Sequence, residues 1–365
     1  MPEQSLDRLI DLIRPQIRNE QPYRVSGDRD VANKLNQNEC PFDLPEGLKK
    51  ELAEMICEIP FNRYPTEHPH QLTEALAELH GIEPECIVVG NGSNELTQTL
   101  GLCFITEQSR IVTPRPMFAL YESVVRMHGG KIIPVSPRPD LHFDVDGILE
   151  SIRREMPTLT ILASPNNPTG LAMSFEAIED ICSEASGFVL VDEAYQDFNK
   201  NPSAISLMAQ HPNVLVMRTL SKGFGLAGLR LGYLLGRPEV IREMMKARMP
   251  FMVDRISETV ALAILSRPDL IRARLDGIMK GIRDLESEMQ SIDGISIIPS
   301  ATNFLLFRSQ MDADELASRL ADRQVLVRNM RGYPELRGFL RVTTGTEAEN
   351  KAFIEALKFA LERAH

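Results

Sequence analysis

The sequence predicts an α/β fold, with a large domain on a mostly parallel sheet and a smaller α+β domain after it. Two observations carry this. From Pro45 to Ser221, short apolar runs rich in β-branched residues alternate with amphipathic stretches, as buried strands alternate with crossover helices. After about Pro250 the alternation stops and a long one-faced helical pattern takes over. The expected division is residues 46–249 for the large domain, with 1–45 and 250–365 forming an N-terminal arm plus the small domain.

The first forty or so residues carry no clear pattern. The strand candidates are Ile87–Val89, Ile111–Thr113, Lys131–Val135, Leu159–Ala163, Phe188–Val191 and Val214–Met217, mostly bounded by Gly, Pro or Asn. Helical spacing lies between them, as in Leu72, Leu76 and Leu79 after His70, and in Ile178 and Ile181 after Phe175. Leu229–Gly236 reads as a further strand, and Val240, Ile241, Met244 and Met245 as a helix face. In the second part, Leu270, Ile271, Leu275, Ile278, Ile282, Leu285 and Met289 mark one face of a long helix. Asp314–Asp322 and Glu347–Arg363 read as two more helices, with strand candidates Asn303–Phe307 and Phe339–Val342.

With 365 residues, 43% hydrophobic and 25% charged, the chain can bury a large core without disulfides or metals. A net charge of −11 without a basic block argues against nucleic acid as a partner, so an anionic ligand needs placed cations. The five cysteines show no CxxC spacing and are expected to be reduced, mostly buried thiols of a cytoplasmic protein. The N-terminus lacks the pattern of a secretory leader, and no apolar run is long enough for a membrane span. His68-Pro69-His70 reads as a loop pair, and no metal site is expected.

The chemistry sits in loops that follow strands. Thr219–Arg230 places Lys222 among small residues just after a buried strand. A lysine in an apolar, glycine-lined pocket has a lowered pKa, which suits a Schiff-base nucleophile. Arg230 is placed to pair with a phosphate, with the Thr219 and Ser221 hydroxyls beside it; an ordinary surface loop is the alternative. Gly223, Gly225 and Gly228 also match GxGxxG. A strand-like run follows them too soon, and Glu239 and Glu243 fall on a helical pattern, so a nicotinamide site is set aside.

Gly90–Glu95 is a glycine turn feeding a helix, either an anion site or simple capping by Ser93 or Asn94. Ser164–Gly170 is a proline-stiffened loop that offers asparagine amides, or a plain turn. Asp192, at the end of the run Val189–Val191, is either a helix cap or the partner of a protonated ring nitrogen, with Tyr195 near a ring substituent. Taken together, an aldehyde-reactive lysine, a phosphate clamp in two pieces and a ring-nitrogen partner are what pyridoxal phosphate requires.

The segments SPNNPTG (Ser164–Gly170), VDEAY (Val191–Tyr195) and TLSKGFGLAGLRLGY (Thr219–Tyr233) resemble the fold-type I aminotransferases of class I/II. KLNQNECPF (Lys34–Phe42), RYP (Arg63–Pro65), GNGSNE (Gly90–Glu95) and FLRVTTGT (Phe339–Thr346) resemble the histidinol-phosphate aminotransferase branch in particular. The resemblance runs from about Tyr23 to Thr346 and makes residues 46–249 the pyridoxal-phosphate-binding domain. It implies that Lys222 holds the cofactor covalently and moves the substrate proton, that Asp192 keeps the ring nitrogen protonated, and that Asn167 and Tyr195 bind the ring oxygen.

On the same resemblance, Ser93, the backbone around Gly92 and Asn94, Thr219, Ser221 and Arg230 hold the phosphate. Tyr64 reaches the cofactor phosphate of a neighbouring subunit, so a homodimer with shared sites is implied. Arg341 receives the α-carboxylate of glutamate or 2-oxoglutarate, with a fork suited to bidentate binding. Tyr23, Asn38 and Arg328 line the substrate site. Arg328 faces the substrate phosphate or, alternatively, makes a surface ion pair.

Two positions depart from the family pattern. Phe118 stands where a tyrosine often stacks on the ring; stacking survives this change, but a hydroxyl hydrogen bond does not. Cys40 replaces a larger side chain and bears on the pocket rim. The expected reaction is transfer of the amino group of L-histidinol phosphate to 2-oxoglutarate. An aromatic amino-acid aminotransferase and a phosphothreonine decarboxylase are the alternatives on the same fold. A regulator built on an aminotransferase-like domain is disfavoured, because the resemblance leaves no segment for a DNA-binding module.

Overall fold

The computed structural model describes residues 6–22 and 31–362. Of the expected site residues, Tyr23 lies outside them. The strand candidates form one seven-stranded sheet. Its members are β2 (Ile87–Gly90), β3 (Arg110–Pro114), β4 (Lys131–Val135), β5 (Leu159–Ala163), β6 (Phe188–Asp192), β7 (Val214–Thr219) and β8 (Gly232–Leu235), after a short β1 (Asn33–Lys34) that lies elsewhere. The order across the sheet is β2-β8-β7-β6-β5-β3-β4. Pairings are parallel from β7 through β6, β5 and β3 to β4, and β8 runs antiparallel to both its neighbours. The central strands β5, β6 and β7 are buried along nearly their whole length, which is why they read as mostly apolar runs.

The run Leu229–Gly236 contains β8, and the stretch with Glu239 and Glu243 is the helix Pro238–Met245. The glycine pattern before it therefore lacks the helix and acidic strand end that a dinucleotide site needs. Helices cover both faces. His70–His80 buries Leu72 and Leu76, but Leu79 on the expected stripe is half exposed.

The second unit is a four-stranded antiparallel sheet. With β9 (Ser296–Ile298), β10 (Phe304–Arg308), β11 (Val325–Leu326), β12 (Arg328–Asn329) and β13 (Phe339–Thr343), its order is β12-β13-β10-β9. β1 pairs in parallel with β11 and ties the N-terminal segment to this unit. The long helix Pro268–Gln290 and the helices Ala313–Asp322 and Glu347–Glu362 pack on it around Leu285, Phe307, Leu320 and Phe353. The helix Arg255–Leu265 behaves differently. Its Val260, Ala261 and Ile264 belong to the core of the seven-stranded sheet.

The cysteines correct one expectation. All five are free thiols, but only Cys182 is buried and Cys57 is exposed. No helix among the described residues is long and apolar enough to cross a membrane.

Candidate active site

The parallel strands all end on one edge, where α/β sheets place their ligands. There a cavity of about 470 Å³ opens between the two sheets. It gathers Asn38, Ser93, Asn94, Phe118, Asn167, Asp192, Tyr195, Thr219, Ser221, Lys222, Arg230, Arg328 and Arg341 from segments far apart in the chain. Tyr64 is not on its wall. That ring is 80% exposed and stacks on Phe251 at 4.9 Å.

One end is built for a phosphate. The helix Ser93–Phe104 begins there, so its first N–H groups and its positive dipole end face the cavity. Gly92 precedes it at φ 80°, and a Cβ at that position would lie 2.6 Å from Arg230 Nη2. A Cβ on Gly232 would lie 2.4 Å from the Ser93 amide nitrogen. The two glycines thus let the turn, the arginine and β8 close into one cradle. Arg230, itself left-handed at φ 53°, donates to Ser221 Oγ at 3.4 Å. Thr219 turns partly inward. Its hydroxyl donates to the Leu231 carbonyl and accepts the Ser221 amide.

A carboxylate and a phenol line the same cavity. Asp192 ends β6, with Oδ2 accepting from the Tyr121 hydroxyl at 2.8 Å and Oδ1 from the Ala194 amide at 3.0 Å. The carboxylate therefore has the local turn contact of a cap and also faces the cavity. Burial pushes its pKa up, and the Tyr121 hydrogen bond pulls it back. Tyr195 is 4% exposed, and burial pushes its hydroxyl up to about 12. The hydroxyl accepts from Asn38 Nδ2 at 2.7 Å. Asn38 stands at φ 56°, with its Oδ1 accepting from Thr343 at 3.1 Å. Its amide is thus committed to fixing Tyr195.

Lys222 donates to the Gln37 carbonyl at 3.2 Å and lies 5.8 Å from the Tyr195 ring centroid. Burial first, then the Arg341 charge, lower its pKa from the ordinary 10.5 to about 8. Arg230 adds to this shift and Glu39 opposes it. A free amine at near-neutral pH is what a nucleophilic lysine needs. Between about 8 and 10.5 the folded, cofactor-free protein binds fewer protons at Lys222 than the unfolded chain does. Its stability contribution from this group therefore rises with pH across that window. Attachment of pyridoxal phosphate to the cofactor-free protein is expected to speed up with pH around 8, and a rise centred near 10.5 would contradict the assignment.

On the side of the four-stranded sheet, Arg328 on β12 pairs directly with Arg341 on β13, so both side chains leave the same face of that sheet. Arg341 is 7% exposed and donates to Asn167 Oδ1 and to the Asn36 carbonyl.

Several residues here escaped the sequence reading. Tyr121 lies three positions after Phe118, and that spacing was the available signal. Arg274 falls on the apolar stripe of the long helix. Its guanidinium is buried and donates to the Phe224 and Asp43 carbonyls at 2.7 and 3.0 Å, which pins the lysine loop. Beneath the site Arg218 meets Glu193 at 2.9 Å and Asp197 at 3.3 Å. Glu193 also accepts from Ser203 and from the Ala204 amide. Glu193 and Arg218 adjoin Asp192 and Thr219 in sequence. Polar residues inside a buried run were the signal.

The donor set and the glycine cradle fit pyridoxal phosphate: cationic and amide donors that would hold a phosphate, a carboxylate that would pair with a ring nitrogen and a lysine that would take an aldehyde. The fold and site define a pyridoxal-phosphate-dependent enzyme of fold type I. The chain belongs to the family aminotransferase class I and II, which it matches over residues 32–357. It is 37% identical over 347 residues to the histidinol-phosphate aminotransferase of Chlorobaculum tepidum, covering 95% of this chain and 99% of that one. It is 38% identical to the histidinol-phosphate aminotransferase of Chlorobium phaeovibrioides, covering 96% and 97%. The histidinol-phosphate aminotransferase of Sinorhizobium meliloti, solved in complex with pyridoxal-5'-phosphate, superposes with a TM-score of 0.88 at 26% identity, covering 96% and 98%.

Proposed function

We propose that this aminotransferase moves the amino group of L-histidinol phosphate to 2-oxoglutarate, giving imidazole acetol phosphate and glutamate. The observation that carries this reading is the arginine arrangement. Arg230 enters the cavity from the unit of the seven-stranded sheet, just before β8, and Arg328 and Arg341 enter it from facing strands of the four-stranded sheet. A cofactor phosphate, a donor phosphate and an acceptor carboxylate together need such separated cations. The names of the relatives point the same way.

In this reading Ser93, Asn94, Ser221 and Arg230 hold the cofactor phosphate, with Gly92 and Thr219 shaping the turn. Phe118 covers the ring face, and Asn167 and Tyr195 bind its oxygen. Asp192 supplies the counter-charge to the ring nitrogen. When bound, the cofactor supplies an aldehyde for attachment and a cationic ring that draws electron density from the substrate carbon. Lys222 holds it, then takes the proton from the substrate Cα and returns it on the other side of the transfer. Arg341 binds the acceptor carboxylate and Arg328 the donor phosphate. Asn38 acts one step back, by orienting Tyr195.

A homodimer belongs to the same proposal. Phe61, Tyr64 and Met249 are 72, 80 and 71% exposed, an apolar group suited to a second copy whose cofactor phosphate Tyr64 reaches. We also place the division between the two units after Leu265 rather than at 249–250, because Val260, Ala261 and Ile264 pack in the large core. A cytoplasmic location is in keeping with the free thiols.

The test is the donor half-reaction followed by cofactor absorbance, with L-histidinol phosphate and L-phenylalanine compared. Bleaching at far lower concentration by histidinol phosphate is expected. The reverse order would make this an aromatic aminotransferase and remove the phosphate role of Arg328. Release of carbon dioxide from phosphothreonine would make it a decarboxylase.

A further inference from the structure

Glu39 is a cavity-lining carboxylate that the proposed roles leave unused. Its position is rigid. The preceding residue, Asn38, is locked at φ 56° by Thr343 and Tyr195, and Asn303 Nδ2 donates to the Asn38 and Glu39 carbonyls at 3.2 and 3.5 Å. Among the described residues the ion-pair partner of its side chain is Lys34 at 3.4 Å, and both side chains are nearly half exposed. Such a pair holds a carboxylate only weakly. Glu39 is therefore available to a ligand, and its charge is felt at Lys222.

Most other acceptors lining the cavity are spent; Asn36 Oδ1 is buried without a hydrogen-bond partner among the described residues, but it is a neutral amide oxygen where Glu39 is a carboxylate. Asp192 accepts from Tyr121 and the Ala194 amide, and Asn167 Oδ1 accepts from Arg341. Asn38 Oδ1 accepts from Thr343, and the Tyr195 oxygen accepts from Asn38. The cations Arg328 and Arg341 take the anionic groups of the substrates. What remains on a donor of the proposed class is a ring N–H, which needs an acceptor when it leaves water.

We propose that Glu39 is a specificity-determining residue for the amino donor, its carboxylate accepting the ring N–H of an imidazole-bearing substrate. This rests on the proposed function. The test compares wild type, Glu39→Ala and Glu39→Gln with L-histidinol phosphate and with L-phenylalaninol phosphate, which keeps the amine and phosphate but has no ring N–H. Glu39→Ala is expected to lower kcat/KM for histidinol phosphate by about 10- to 100-fold, the usual range for losing a hydrogen bond to a charged acceptor. The other donor should stay within about twofold, since it never made that bond. Glu39→Gln keeps a carbonyl acceptor and should fall between.

A binding readout comes from the Lys222→Ala background, where adding Glu39→Ala should weaken histidinol phosphate binding by calorimetry to the same extent. An equal loss with both donors would mean that Glu39 acts through Lys222, and would overturn the proposal. So would no loss with either. A wild type that prefers histidinol phosphate while Glu39→Ala keeps that preference overturns this inference alone. A wild type that does not use histidinol phosphate overturns the proposed function, and this inference with it.

Discussion

On the roles proposed for Lys222, the Lys222→Ala variant is expected to lose transamination by about 10⁴-fold, the combined cost of a missing covalent anchor and a missing proton carrier. Among the described residues that line the cavity, no other amine stands in for it. The remaining cavity cations, Arg230, Arg328 and Arg341, are guanidiniums that stay protonated and neither attack an aldehyde nor carry a proton. The cradle around Gly92, Ser93 and Arg230 is untouched, so the variant should still bind pyridoxal phosphate without a covalent bond. Two measurements decide. Borohydride reduction of the wild type should leave the cofactor mass on the peptide that contains Lys222, and on no peptide of the variant. Turnover of the variant within about tenfold of wild type would show that proton transfer does not depend on this residue.

Arg218→Met is expected to cost about 3–5 kcal/mol of stability, the usual loss when one member of a buried ion network is removed. Arg218 sits between Glu193 and Asp197, and its side chain is 10% exposed against 2% and 17% for theirs. Burial already pushes both carboxyls above their ordinary pKa, with the Arg218 charge opposing. Without the guanidinium, two carboxylates face each other in a dry layer and must either take up protons or admit water. Thermal unfolding should shift down by about 4–7 °C. Adding Glu193→Gln should recover part of the loss, since the second uncompensated charge goes with it. A loss below about 1 kcal/mol would mean that the layer is hydrated and the network is not holding the strand ends.

The central strands were legible because burial on both faces favours apolar residues, so β5, β6 and β7 stand out as mostly apolar runs, interrupted by Thr160 and by Arg218 and Thr219. The lysine loop and the turn at Gly92 were legible for a related reason. Backbone that must approach a ligand or another backbone closely restricts residue type, and glycines and small hydroxyls cluster there. The helix Arg255–Leu265 follows the expected boundary at 249–250, yet its Val260, Ala261 and Ile264 pack in the core of the seven-stranded sheet. A helix face says that something apolar covers it, but not which sheet. Tyr121, Arg274 and the Arg218 network were missed because each acts on a partner far along the chain. Arg274 reaches Phe224 and Asp43, and Tyr121 reaches Asp192.

The sequence by itself therefore determined the α/β class, the strand and helix order of the large sheet, and the residue types that suit an aldehyde, a phosphate and a ring nitrogen. These follow from local periodicity and from the chemistry of single side chains. Only the tertiary structure decided which of those side chains share a cavity, and that Asn38 is spent on Tyr195 while Glu39 is not. It also decided that Lys222 stands at about 8. Desolvation and Coulomb interaction depend on distance in space, and the groups that set them, Arg341 and Glu39, come from opposite ends of the chain.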